Sequence, residues 1–204
     1  MQDALPGDTR LALDLALTVR HDGHGGIADD LTDPTGLTTW IRAHADDLPV
    51  TPGYAADAPA LTAVRDLRAA VRALFAHAVR PGAPSPADAA RLLPVPEALD
   101  RLNTAAARRP TVPVLHWTRG ADPGVRLRPV PDGGDLTAAL AQAVIAFLTG
   151  PDRQRLRACH APRCVRYFLK DHPRQEWCRP SCGNRARVAR HHERHKRASR
   201  PDRP

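Results

Sequence analysis

All four cysteines of the 204-residue chain lie in one 24-residue window, as Cys159-x4-Cys164 and, 13 residues later, Cys178-x3-Cys182. Two close pairs joined by a short loop can turn four sulfurs toward one point, and that requirement dictates a compact unit built around a tetrahedral ion. Zinc, one per chain, suits an all-thiolate set best. Disulfides or free thiols are the alternatives, and a reducing compartment disfavours the disulfides. Cys182 also opens the run Cys182-Gly183-Asn184-Arg185 and a helix-compatible stretch beyond it. A helix start places a positive dipole end beside that thiolate.

The charge is as uneven as the cysteines. Residues 150–204 hold 16 Lys/Arg against 5 Asp/Glu, a net of +11, and residues 1–149 hold 14 against 17, a net of −3. A mildly acidic body with a strongly basic end is the electrostatic pattern of attraction to nucleic acid, although an anionic membrane or an acidic protein would attract the same charge. Arg outnumbers Lys 28 to 2, which together with abundant Ala and Pro fits a GC-rich genome and weakens any argument from guanidinium alone. No stretch reaches the roughly 20 apolar residues of a membrane span. Asp3, Asp8 and Asp14 stand where a secretion signal needs cations, so the expected location is the cytoplasm, at the nucleoid if DNA is bound.

Along the body, Leu11, Leu13, Leu15, Leu17 and Val19 alternate, while Leu11, Leu15 and Val19 also stack at helical spacing, so this core element could be strand or helix. A glycine-rich loop follows over His21 to Gly26. Asp33-Pro34 reads as a cap and first turn launching Leu37, Ile41, His44 and Leu48. Val64, Leu67, Val71, Leu74 and Ala78 form the clearest apolar stripe, with Arg65, Arg68 and Arg72 expected to face away. Ser85-Pro86-x-Asp88 has the form of a capping box, and a helix through Leu99, Leu102 and Ala106 should follow Pro94 and Pro96. Val112, Val114 and Leu115, then Val125, Leu127 and Val130, flank a turn as a short hairpin. Asp135 should cap a last body helix presenting Leu136, Leu140, Val144 and Phe147. The fold class expected is mainly α with a short β-hairpin (α+β), plus a small C-terminal four-cysteine finger ending in a basic helix. The expected division is 1–150 and 151–204, with body and finger packed together.

Tyr167, Phe168 and Trp177 are three of only eight aromatics and lie between the cysteine pairs, where a small metal-ordered loop needs apolar filling. With Cys159, Cys164, Trp177-Cys178 and Cys182-Gly183-Asn184-Arg185 followed by Arg187, this segment resembles the CGNR zinc fingers of bacteria. The body is similar to the ABATE-type domain found upstream of them: its Ala-Leu-Asp-Leu-Val-Asn-Thr motif is echoed by Ala12-Leu13-Asp14-Leu15-Ala16-Leu17-Thr18, and a second stretch by Asp30-Leu31 and Trp40-Ile41. Leu17 stands where that motif commonly has Asn, and Lys170-Asp171 where many relatives have an Asp soon after the aromatic. The resemblance implies a bacterial transcription regulator.

On this reading Cys159, Cys164, Cys178 and Cys182 hold zinc, while Asn184, Phe168 and Trp177 support the finger. Arg187, Arg190, Arg194 and Arg197 share one helix side, and with Arg185 they are the candidate DNA contacts. Arg185 could equally serve the metal loop. The alternative is a module for RNA or protein without sequence-specific DNA binding. The body would dimerise or sense a small effector. His191, His192 and His195 could bring three imidazoles together, and His160 and His172 lie in the finger; four cysteines leave zinc no need of them, so they read as proton-dependent charge. An enzyme is not expected, since a fully thiolate-bound zinc has no open position. Asp14, Asp22, His21 and His24 are the sole cluster that could argue otherwise.

Overall fold

Four segments with apolar residues at helical spacing must bury their stripes against one another. α1 (Gly7–Leu17), α3 (Ala58–Ala78), α5 (Val95–Ala107) and α6 (Leu136–Thr149) do this as a bundle in which α6 touches the other three. The structure is a computed structural model and describes residues 7–22, 26–79, 86–89, 91–129 and 135–198, without the side chains of residues 86, 87, 127, 129 and 196–198. Ser85, His24, Val130 and the side chain of Arg197 therefore lie outside the described residues. Between the bundle helices run β1 (Val19–His21) with β2 (Ile27–Asp29), α2 (Pro34–Ala43), the single turn α4 (Pro86–Ala89), and β3 (Thr111–His116) with β4 (Gly124–Pro129). Both strand pairs are antiparallel; Val19 faces Asp29 and Leu115 faces Val125.

The ambiguous first segment is a helix as far as Leu17, and Val19 at its end opens β1. Leu11, Ala12, Leu13, Leu15 and Ala16 are all buried, so α1 is enclosed on most sides and alternation carries no strand meaning there. Aspartate caps start three helices, with Asp33 accepting from the Gly36 N–H (2.9 Å), Asp57 from Ala60 (2.8 Å) and Asp135 from Ala138 (2.9 Å). α2 stops at Ala43; Leu48 is buried from beyond its end. α5 buries Ala98, Leu102 and Ala105 and leaves Leu99 exposed, a face rotated by one residue from the expected one.

Two arginines correct the expectation for α3. Arg65 is exposed, but Arg68 and Arg72 are buried, because α3 runs through the centre and is covered continuously from Ala70 to Ala76. Arg68 makes a bidentate pair with Asp29 (2.5 and 2.7 Å) and donates to the Thr18 hydroxyl (2.9 Å), which in turn donates to the Leu15 carbonyl (2.8 Å). Burial pushes the Asp29 carboxyl up, but Arg68 and the Leu31 N–H outweigh it and hold the group below its ordinary range. Arg72 spans elements far apart in the chain, donating to the Ala16 carbonyl (2.7 Å), the Asp88 carboxylate (2.6 Å) and the Val165 carbonyl (2.8 Å). Asp88 is thus buried under α3 as the partner of Arg72.

Asp14 does not join His21 and Asp22 in a cluster. It meets His44 Nε2 at 3.1 Å, while His44 Nδ1 lies 2.8 Å from the Trp40 carbonyl and its ring stacks on Trp40. The Asp14 hydrogen bond raises the His44 pKa against the opposing effect of burial. A raised histidine adds stability below its unfolded value of about 6.5 and loses it as pH climbs through the folded value. Wild type should therefore exceed Asp14→Asn in unfolding midpoint at about pH 5.5 and converge with it by about pH 9, read by thermal denaturation at both. A gap that widened with pH would contradict the pairing.

Candidate metal centre

After α6 a 3-10 turn (Pro151–Arg155) leads into β5 (Leu156–Ala158), which pairs antiparallel with β6 (Tyr167–Leu169). Successive strand side chains point to opposite faces, and this hairpin uses both. Leu156, Ala158, Tyr167 and Leu169 join the core of the helical bundle, whereas Phe168 turns to the cysteines. Tyr167 is therefore not part of the finger's own filling, as expected from its neighbours, but part of the body. Its ring meets Phe75 edge-on (centroids 5.5 Å) and lies under the Arg72 guanidinium (5.3 Å), and its hydroxyl donates to the Arg72 carbonyl (3.1 Å). Burial, then the nearby Asp88, pushes the Tyr167 phenol well above its usual range.

The loop between the strands carries the first cysteine pair. Cys159 N–H donates to the Arg166 carbonyl and Cys164 N–H to the Ala161 carbonyl (both 2.9 Å), with Arg163 in the left-handed region (φ 63°) to close the turn. The second pair brackets the start of α7 (Pro180–Ala198), whose first residue is a proline that needs no hydrogen-bonded N–H there. Cys178 precedes the helix and Cys182 lies in its first turn, whose N–H donates to the Arg179 carbonyl (3.1 Å).

The four sulfurs lie within 4.8 Å of one another. A zinc–sulfur bond of about 2.3 Å in a tetrahedron spaces its sulfurs roughly 3.8 Å apart. Cys164–Cys178, Cys178–Cys182 and Cys182–Cys164 measure 3.8, 3.6 and 3.9 Å. These three sulfurs have the spacing a tetrahedral zinc imposes, and with Cys159 beside them the four can hold one ion. Hydrogen bonds from Cys164 and then Cys178 hold the Cys159 thiol below its usual range, while Cys164 and Cys178 are pushed up chiefly by Cys159. Thiols must lose their protons to bind a metal, so a divalent cation and the thiolates stabilise one another.

The surroundings serve the same end. Arg185 Nη2 donates to Cys182 Sγ (3.2 Å), placing a cation beside a ligand sulfur where it offsets the surplus thiolate charge. Phe168 and Trp177 pack on the cysteines. A Cβ on Gly183 would come within 3.0 Å of Trp177 Cδ1, so the glycine of the Cys-Gly-Asn-Arg run allows the indole to close over the helix start. Asn184 is exposed and accepts from Arg187 Nη1 (3.1 Å), which directs it to the helix surface. Arg187, Arg190 and Arg194 are exposed on α7, while Arg185 is half-buried at the metal centre and not on their face. Arg166 was not evident in the sequence as part of the site: burial first, then Arg179, lowers its pKa, and Cys178 and Cys164 are the opposing charges near it.

The fold and centre define a helical body carrying a four-cysteine finger fit for structural zinc. The chain belongs to the ABATE family: the family model, described as "Putative stress-induced transcription regulator", matches residues 9–151, and that of the CGNR zinc finger matches residues 155–195. No curated protein matches the chain.

Proposed function

We propose that this protein regulates transcription by binding DNA through α7, with zinc setting the helix start and the body supplying the input. The observation that carries the reading is the exposed row Arg187, Arg190 and Arg194 on a 19-residue helix whose first turn is tied to the metal centre. A helix of that length extends about 28 Å and has the width to enter a major groove, where arginines neutralise phosphates or meet guanine edges. Arg197 continues the row by sequence spacing. A zinc held by four thiolates has no free position for substrate or water, which supports a non-enzymatic role. No helix among the described residues is long and apolar enough to cross a membrane.

The input reading is supported by a cleft of about 800 Å³ where α1, α5 and α6 meet. Its lining includes the buried Leu11 and Ala143 together with Asp8, Asn103 and Arg109. Buried apolar side chains beside a few polar groups suit a small organic effector, and homodimerisation is the other way such a body could act.

Titration of a labelled duplex tests the DNA reading. Each phosphate neutralised contributes about 0.9 to the slope of log affinity against log salt, so three arginines give a slope of roughly −3 and Arg190→Ala lowers its magnitude by roughly 1. A salt-independent interaction would remove the reading. Preference for structured RNA over the duplex would move it to RNA, and equal competition by heparin would reduce it to charge alone.

A further inference from the structure

We infer that His191 and His195 form a second metal site, separate from the cysteine centre, for a late first-row divalent ion of the Cu²⁺ or Ni²⁺ class. The two residues are one turn apart on α7, and their Nε2 atoms face each other at 3.1 Å. Imidazole nitrogens about 2.0–2.1 Å from one metal, at the angles of octahedral, square-planar or tetrahedral coordination, stand roughly 2.8–3.4 Å apart. The observed separation falls inside that range without moving the helix. Without metal, one ring donates to the other across this gap; when the donating ring shifts its proton from Nε2 to Nδ1, both Nε2 lone pairs are free to bond an ion. Both rings are exposed, so solvent can fill the remaining positions. His192 is excluded, because its ring stands edge-on to His191 with centroids 6.1 Å apart and leaves the helix about 100° further round.

The neighbouring charges set the class of ion. Arg187 and Arg194 lie one turn from His191 on this side of the helix, although Arg187 is turned back to Asn184 and the Arg194 Nε to the Arg190 carbonyl (3.4 Å). Their repulsion penalises every divalent ion equally, so occupancy falls to those with the strongest bonds to imidazole, Cu²⁺ and then Ni²⁺ in the first-row order. Hard ions such as Mg²⁺ favour oxygen ligands over imidazole and gain little from this pair. The inference is independent of DNA binding.

The test uses untagged, full-length, zinc-loaded protein and Ni²⁺ as the probe, since Cu²⁺ oxidises thiolates. Calorimetric titration should show one Ni²⁺ bound per chain, with zinc retained by native mass. His191→Ala and His195→Ala should each weaken Ni²⁺ binding by roughly tenfold or more, the cost that loss of even a supporting contact carries at a metal site. His192→Ala should match wild type. Alanine is the best helix former, so loss of binding will not reflect loss of α7, and circular dichroism checks this. Three variants with equal affinity, uptake only at millimolar Ni²⁺, or Ni²⁺ entering by expelling zinc would each overturn the site.

Discussion

Cys182→Ala protein is expected to purify without stoichiometric zinc and with the segment from Cys159 to the start of α7 unfolded. Structural zinc contributes on the order of 10 kcal/mol, and three thiols cannot recover it. The finger's own apolar filling is Ala161 with Phe168 and Trp177, far too little to hold the loops alone. The body should persist, because Leu156, Tyr167 and Leu169 are buried in the bundle and do not depend on the ion. Native mass should therefore show zero zinc against one in wild type. Backbone NMR should lose dispersion for Cys178 to Ala186 while the α3 and α6 signals survive. A variant that keeps one tightly held zinc would refute the four-sulfur centre.

The second large effect is expected at Arg72, whose side-chain partners stand 16, 56 and 93 residues away in the chain. Arg72→Met removes the only buried cation that the Asp88 carboxylate meets among the described residues, and it strips the Ala16 and Val165 carbonyls of a donor. Breaking a buried ion pair from one side costs about 3–5 kcal/mol, because the remaining charge stays desolvated. That is a large share of the 5–15 kcal/mol typical of a domain. Urea unfolding should show the loss as a shifted midpoint. The double variant Arg72→Met/Asp88→Ala should recover part of it, since no unpaired charge is left. The Arg72 side chain also ties the bundle to the β5–β6 hairpin, by donating to the Val165 carbonyl and by lying over the Tyr167 ring, whereas the Tyr167 hydroxyl meets the Arg72 main chain and keeps that bond in the variant. Its loss should therefore loosen β5–β6 first, seen as faster amide exchange at Tyr167 than in wild type.

The centre was legible in the chain because its information is local. Cysteine identity and spacing specify four ligands, and the Cys-Gly-Asn-Arg run supplies both the last ligand and the helix start. The aspartate caps at Asp33 and Asp135 were legible for the same reason, each acting within three residues. Arg68 and Arg72 were misread because a charge beside an apolar stripe ordinarily marks the solvent face. Their spacing to Val64, Val71 and Phe75 did carry a signal, since all of these fall at three- or four-residue steps on one side of α3. What no spacing could reveal was that Asp29 and Asp88 would meet them there. Phe168 was readable as finger filling, but its neighbour Tyr167 was not readable as body core, because which face of a strand meets which layer depends on what packs above and below.

The amino-acid order by itself determined the zinc ligands, the basic helix that follows them and the helical character of the body, all set by side-chain chemistry and periodicity within a few residues. Only the tertiary structure decided that one strand serves two cores, that Arg72 links α1, α4 and the finger, and that two of three tail histidines converge. Those outcomes depend on groups distant in the chain sharing a buried, low-dielectric space or a single helix face, where an unpaired polar group is costly and geometry selects its partner.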